Sequence, residues 1–144
     1  MPEIVLELAA RLGAAALQHA RSLDILVSVA VVDAGGHLVH FQRMDGAEIA
    51  GPTLAVDKAF TSVAHRASTA ELGPLTRPGG PLEGMQANGG GRYVVFGGGV
   101  PLWSDGRVRA GIGVSGGTAE QDAACAEAAV AVWHEPTDRI EEGG

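Results

Sequence analysis

The stretch "RAGIGVSGGTAEQD", residues 109–122, decides the fold. Gly111, Gly113 and Gly116 carry the G-x-G-x-x-G spacing of dinucleotide-binding proteins. That fingerprint works only inside a parallel strand–helix–strand unit, with an acidic residue about 20 positions further on. Here the strand emerges from "SDG" at 104–106, a hairpin signal, so its neighbour is antiparallel. After the helix that Thr118 opens, only a short polar tail remains to receive a ribose. The spacing is therefore coincidental, and the sheet it belongs to is antiparallel. Val108, Ala110, Ile112 and Val114 alternate onto one face of this strand and Gly111 and Gly113 onto the other. The glycine face is a bare strip against which a helix or a ligand can lie. Gly116 and Gly117 let the chain turn, and Thr118 with Gln121 fits a capping box. The amides ahead of that helix can hold an anion or be satisfied by the cap alone.

Working outward, "YVVFGGGVPLW" (93–103) is the strand preceding the hairpin, and "TAEQDAACAEAAVAVW" (118–133) is the helix following it. Residues 68–92 break every period. A stretch that long without clear structure is functional or mobile, although "PLEGMQAN" has the composition of one helical turn. Upstream, "PTLAVDKAFTSVAHRA" (52–67) is a helix with Pro52 in its first turn and an apolar stripe of Val56, Ala59, Phe60, Val63 and Ala67. "ILVSVAVVDAGGHLVHFQRM" (25–44) is a hairpin turning at Asp33–Gly36. Residues 3–22 form a first helix with Ile4, Leu8, Leu12, Ala15, His19 and Leu23 on one stripe. The order α-ββ-α-loop-ββ-α gives an α+β fold, an antiparallel sheet flanked by helices. One domain is expected over 1–144, with its core at about 3–133 and a polar tail at 134–144.

Composition narrows the function. Of 144 residues, 46% are hydrophobic and 19% charged, which excludes a disordered chain. The net charge of −7 has no basic block within it, so nucleic acid is not expected as a partner. No apolar run reaches the roughly 18 residues of a membrane span, and the start lacks the basic region of a secretory signal, so a cytoplasmic location is expected. Cys125 is the single cysteine; it excludes an internal disulfide and, in its alanine-rich helix, reads as a buried inert thiol.

The ordered set "SVAVVDAGGHLV", "RMDGA", "AVDKAF", "GGGVPLWSDGRVRAGIGVSGGTAEQD" and the alanine-rich last helix resembles the GlcG/HbpS-like family, also called the haem-degrading domain and found as the C-terminal domain of PduO. The resemblance covers most of residues 9–133 and is weakest in the long loop. It implies a profilin-like sheet between helices, homo-oligomers with octamers among them, and haem or a related tetrapyrrole as ligand. Other members accompany small-acid metabolism without an assigned reaction.

Haem needs an axial donor, most often His. His19, on the stripe of the first helix, is similar to the helix-borne haem ligand proposed within the family; a hydrogen-bonded core histidine is the alternative. His37 and His40, three apart on a strand, fall on opposite faces and cannot chelate together. No H-E-x-x-H or cysteine pair gives a zinc site. A ligand pocket over "FGGGVP", roofed by 73–92, would be lined by Gly98, Gly99, Val100 and Pro101, with Gly113, Ser115, Gly116 and Thr118 beside them and Arg43 and Met44 from "RMDGA". Lys58 and His65 share a helix flank with Thr61, off the apolar stripe, where they line a cleft or are simply solvated. Three readings stay open: a small-ligand-binding protein, haem included; a cofactor-independent enzyme in which Arg43 grips a small carboxylate and Lys58 or His65 moves a proton; and a structural oligomer without ligand.

Overall fold

A computed structural model describes residues 4–135; the tail expected beyond 135 lies outside them. Ten elements follow in chain order, eight of which position the candidate sites. These are helix α1 (Leu6–Ser22), strands β1 (Ser28–Asp33) and β2 (Leu38–Arg43), helices α2 (Ala50–His65) and α3 (Thr69–Thr76), strands β3 (Gly99–Ser104) and β4 (Arg107–Ser115), and helix α4 (Ala119–Trp133). The four strands form one antiparallel sheet in the order β2-β1-β4-β3. Antiparallel pairing on both sides of β4 disposes of a dinucleotide fold.

The sheet is a middle layer. α1 and α4 cover one face and enclose the larger core, which contains Leu12, Val27, Val29, Val31, Ile112, Val114 and Trp133. α2 covers the other, against Ala30 and Val32 of β1. β1 is therefore buried on both faces, which is why "VAVV" at 29–32 reads as a continuous apolar run rather than an alternation.

The glycine strip of β4 explains how close α2 comes. A Cβ on Gly111 would stand 2.7 Å from Ser62 Oγ and from Val63 Cγ2. One on Gly113 would run into the Ala55 carbonyl. The strip is filled by the protein's own helix, so of the two occupants left open by the sequence, the helix is the one present. The small residues Ala55, Ala59 and Ser62 are the matching half of that contact.

Four sequence expectations are corrected. The region 68–92 is not structureless: Ser68 accepts a hydrogen bond from the Glu71 amide at 3.2 Å and opens α3, which continues through Pro74. Short 3-10 turns follow at Met85–Ala87, inside the segment with helical composition, and at Gly89–Gly91. The third strand begins at Gly99, because the segment before it runs across α2, and only the Gly98 carbonyl, accepting from the Val114 amide at 2.9 Å, reaches β4 ahead of it. Val108 does not share a face with Ala110: the register shift between Leu102 and Trp103 pairs Ala110 with Leu102 but Val108 with Trp103. Arg109 is the extra residue of the bulge, and bulges re-aim side chains in this way. Finally, the buried stripe of α1 is Leu8, Ala9, Leu12, Gly13, Ala16, Leu17 and Ala20, which leaves Ala15 and His19 half-buried at its margin.

Candidate functional site

Lys58 is neither solvated nor open to a cleft. It is fully buried, donates to the Val114 carbonyl at 2.9 Å and pairs with Asp122 Oδ2 at 3.1 Å. Its ammonium lies 5.0 Å from the centroid of the Phe96 ring. Burial pushes its pKa down, and the Asp122 carboxylate opposes that shift. Asp122 in turn accepts from the Gly117 amide at 2.8 Å and the Gly116 amide at 3.4 Å. The amides ahead of α4 thus hold an anion, and the anion is the protein's own carboxylate. Thr118 and Gln121 complete their reciprocal capping box beside it, at 3.1 and 3.0 Å.

The flank of Lys58, Thr61 and His65 is roofed by the segment 92–99. Thr61 Oγ1 accepts from the Val94 amide at 3.0 Å, the Gly99 amide donates to Thr69 Oγ1 at 2.9 Å, and His65 meets the Tyr93 ring edge-on at 4.5 Å between centroids. A Cβ on Gly98 would stand 2.7 Å from Lys58 Nζ, and one on Gly97 the same distance from the Ala119 carbonyl. Gly98, Gly99, Pro101, Gly113 and Ser115 are buried in these contacts, Val100 packs half-buried against the core, and Gly116 turns back against Leu26. "FGGGVP" therefore closes over α2 and leaves no ledge of its own. His65 Nε2 is buried with no hydrogen-bond partner among the described residues.

Arg43 and Met44 stand elsewhere. They line a cavity of about 520 Å³ with Leu17, Arg21, Leu26, Gln42 and Asp45. The corner "RMDGA" is pre-set: Gly46 takes a φ of +81°, Ala47 N donates to the Met44 carbonyl at 3.0 Å, and Arg43 Nη2 donates to the Ala47 carbonyl at 2.7 Å. Met44 Sδ accepts from the Val27 amide at 3.2 Å. Neither Arg21 nor Arg43 forms an ion pair among the described residues. Two guanidiniums outside any ion pair among the described residues, with Leu17, Leu26 and Met44 beside them and the Asp45 carboxylate also on the lining, suit a ligand with an anionic edge and an apolar body. Arg21 went unremarked in the sequence; its signal is the four-residue spacing from Leu17, which puts both on one side of α1. His19, two residues from either, points about 200° round the helix and away from this cleft. The structure thus separates His19 from Arg43 and Met44, and all three from Lys58 and His65. Of the remaining histidines, His37 joins Asp33 in the β1–β2 turn at 3.1 Å, and His40 packs by Gly13 of α1, so the two do not converge.

The chain matches the family model "Haem degrading protein HbpS-like" over residues 4–131, and it belongs to that family. It is 40% identical over 121 residues to the corrinoid adenosyltransferase PduO of Salmonella typhimurium, covering 84% of this chain but 36% of that protein, so it spans about a third of that relative's length. Among solved structures, Klebsiella pneumoniae ORFY superposes with a TM-score of 0.90 at 32% identity, covering 94% of each chain. A complex of PduOC with haem superposes with a TM-score of 0.87 at 37% identity, covering 91% of this chain and 95% of that one. The shared architecture is the antiparallel sheet between helices already described. No helix among the described residues is long and apolar enough to cross a membrane.

Proposed function

We propose that this HbpS-like chain binds haem or a related tetrapyrrole. Its likeness to a haem-bound structure supports the ligand class. The observation in the chain itself that carries the reading is the arginine-flanked cleft. A tetrapyrrole is a flat apolar disc with carboxylates along one edge, and the cleft opposes Leu17, Leu26 and Met44 to the guanidiniums of Arg21 and Arg43. Arg21 and Arg43 would hold the propionates. The Met44 thioether, on the cleft lining, is the candidate axial donor there; His19, on another side of α1, is the donor for a haem seated outside the cleft. Bound haem supplies an iron centre for small ligands or electrons; the chain's own residues supply orientation and exclusion of water. Homo-oligomeric assembly and a cytoplasmic setting belong to the same reading, and light scattering at several concentrations checks the first.

Haemin titration tests the proposal. One equivalent per chain should give a sharp, shifted Soret band, and Arg21→Gln with Arg43→Gln should raise Kd by roughly tenfold, about 1.4 kcal/mol. Loss of the shifted band in His19→Ala but not Met44→Leu assigns the histidine, and the converse assigns the thioether. A broad band that none of these substitutions alters would refute specific binding.

A further inference from the structure

A second cavity, of about 340 Å³, shares no residue with the cleft above. It is lined by Ala34, Val63, Arg66, Trp103, Gly106, Arg107 and Val108. We infer that this cavity binds a planar organic anion, an aromatic carboxylate, with its ring on the Trp103 indole and its carboxylate between Arg66 and Arg107.

The bulge at Arg109 builds the pocket. In a regular strand, with Arg109 in register, Val108 would fall on the face of Ala110; with Arg109 bulged out, Val108 pairs with Trp103, and both line the cavity with Val63 of α2. Trp103 is held at its backbone, where its carbonyl accepts from Trp133 Nε1 at 2.8 Å, while the residue stays 42% exposed. An aromatic face is thereby fixed at the surface, ready for stacking. Arg66 ends α2 in the left-handed region, φ 52°, with its amide donating to the Ser62 carbonyl. Arg107 opens β4 after the Asp105–Gly106 turn. No ion pair involves Arg66 or Arg107 among the described residues, and Asp105 is not among the lining residues. In a chain of net charge −7, two uncompensated arginines converging beside an indole select for anions that carry a π face. The volume sits at the lower end of small-ligand cavities, about 300–1,000 Å³.

Calorimetric titration of the protein as purified, with benzoate as probe, tests this. Benzoate should saturate one site per chain and weaken with rising salt. Arg107→Gln and Arg66→Asn should each weaken it roughly fivefold or more; Asn tolerates the left-handed conformation, so the second keeps the end of α2 intact. Trp103→Leu should weaken benzoate while leaving cyclohexanecarboxylate, the saturated analogue, unchanged at its lower affinity. Arg77→Gln, outside the cavity, is the control and should bind like the wild type. The inference is overturned if benzoate does not saturate, if cyclohexanecarboxylate binds as tightly, if inorganic phosphate binds more tightly, or if the Arg66 and Arg107 variants bind like the wild type.

Discussion

Removing one partner from the buried Lys58–Asp122 pair should be among the most destabilising single changes in the protein, and the two removals should differ. Both side chains are almost entirely excluded from water, 0% and 3% exposed, so neither charge can be rescued by solvent. Breaking such a pair costs about 3–5 kcal/mol, because a charge is left buried without its counterion. In Lys58→Met the side-chain volume is largely refilled, and Asp122 keeps the Gly116 and Gly117 amides. The lower end, about 3 kcal/mol, is expected. In Asp122→Asn, Lys58 loses its buried counterion and keeps the Val114 carbonyl, the Phe96 ring, the Glu48 charge and a neutral amide oxygen, so the upper end, about 5 kcal/mol, is expected. The double variant Lys58→Met/Asp122→Asn removes both charges and should cost at least about 2 kcal/mol less than the sum of the singles, the coupling of groups in one network. Equilibrium urea unfolding at neutral pH and fixed chain concentration measures all four corners of the cycle. Strict additivity, or single variants within about 1 kcal/mol of wild type, would show that the pair does not hold α2 to the β4–α4 junction.

Gly113→Ala drives a methyl group into the Ala55 carbonyl and should cost at least about 1–3 kcal/mol, read as a lowered urea midpoint; Gly90→Ala meets no atom within 4 Å and should lose only the strain of its positive φ. Asp33 accepts from the amides of Gly35 and His37, both at 2.9 Å. Although burial alone would raise its pKa, those amides together with the His37 side chain outweigh burial and lower it from 3.8. Its contribution is therefore present above that value and lost as pH falls through the depressed one, and Asp33→Ala should flatten the acid limb of a stability–pH profile. The Cys125 thiol is pushed up to about 11, first by burial and then by the Asp122 charge. Because the folded thiol keeps its proton where an unfolded one ionises, its contribution to stability declines as pH rises from about 8.5 towards that value. A disulfide reagent at pH 8 should label the native protein at the rate of unfolding, and fast labelling would contradict the burial.

Most of the architecture was legible because its signals are local. The apolar run of β1, the alternation of β4 from Ala110 on, the "SDG" turn and the Thr118–Gln121 box each act within a few residues, and each appears in the fold; of the α2 stripe only Ala59 is fully buried, because α2 turns Ala55, Lys58 and Ser62 inward beside it. The antiparallel pairing that rules out a nucleotide fold followed from one hairpin turn. The capping pair Ser68–Glu71 was equally local, but Gly73 and Pro74 masked the short helix behind it.

The candidate sites were less legible because they depend on what packs against what. A glycine face on a strand is equally suited to a helix or a ligand, and only the approach of Ala55, Ala59 and Ser62 settles that it is a helix. A lysine off an apolar stripe reads as solvated until a segment 34 or more positions away folds across it and an aspartate 64 positions away meets it. The sequence alone determined the elements outside 68–92 and the antiparallel sense of the strand pairing, through periodicities and caps that need no distant partner. Tertiary structure alone decided which anion fills the start of α4 and which arginines stand outside ion pairs among the described residues, since both depend on desolvation and contact between residues far apart in the chain.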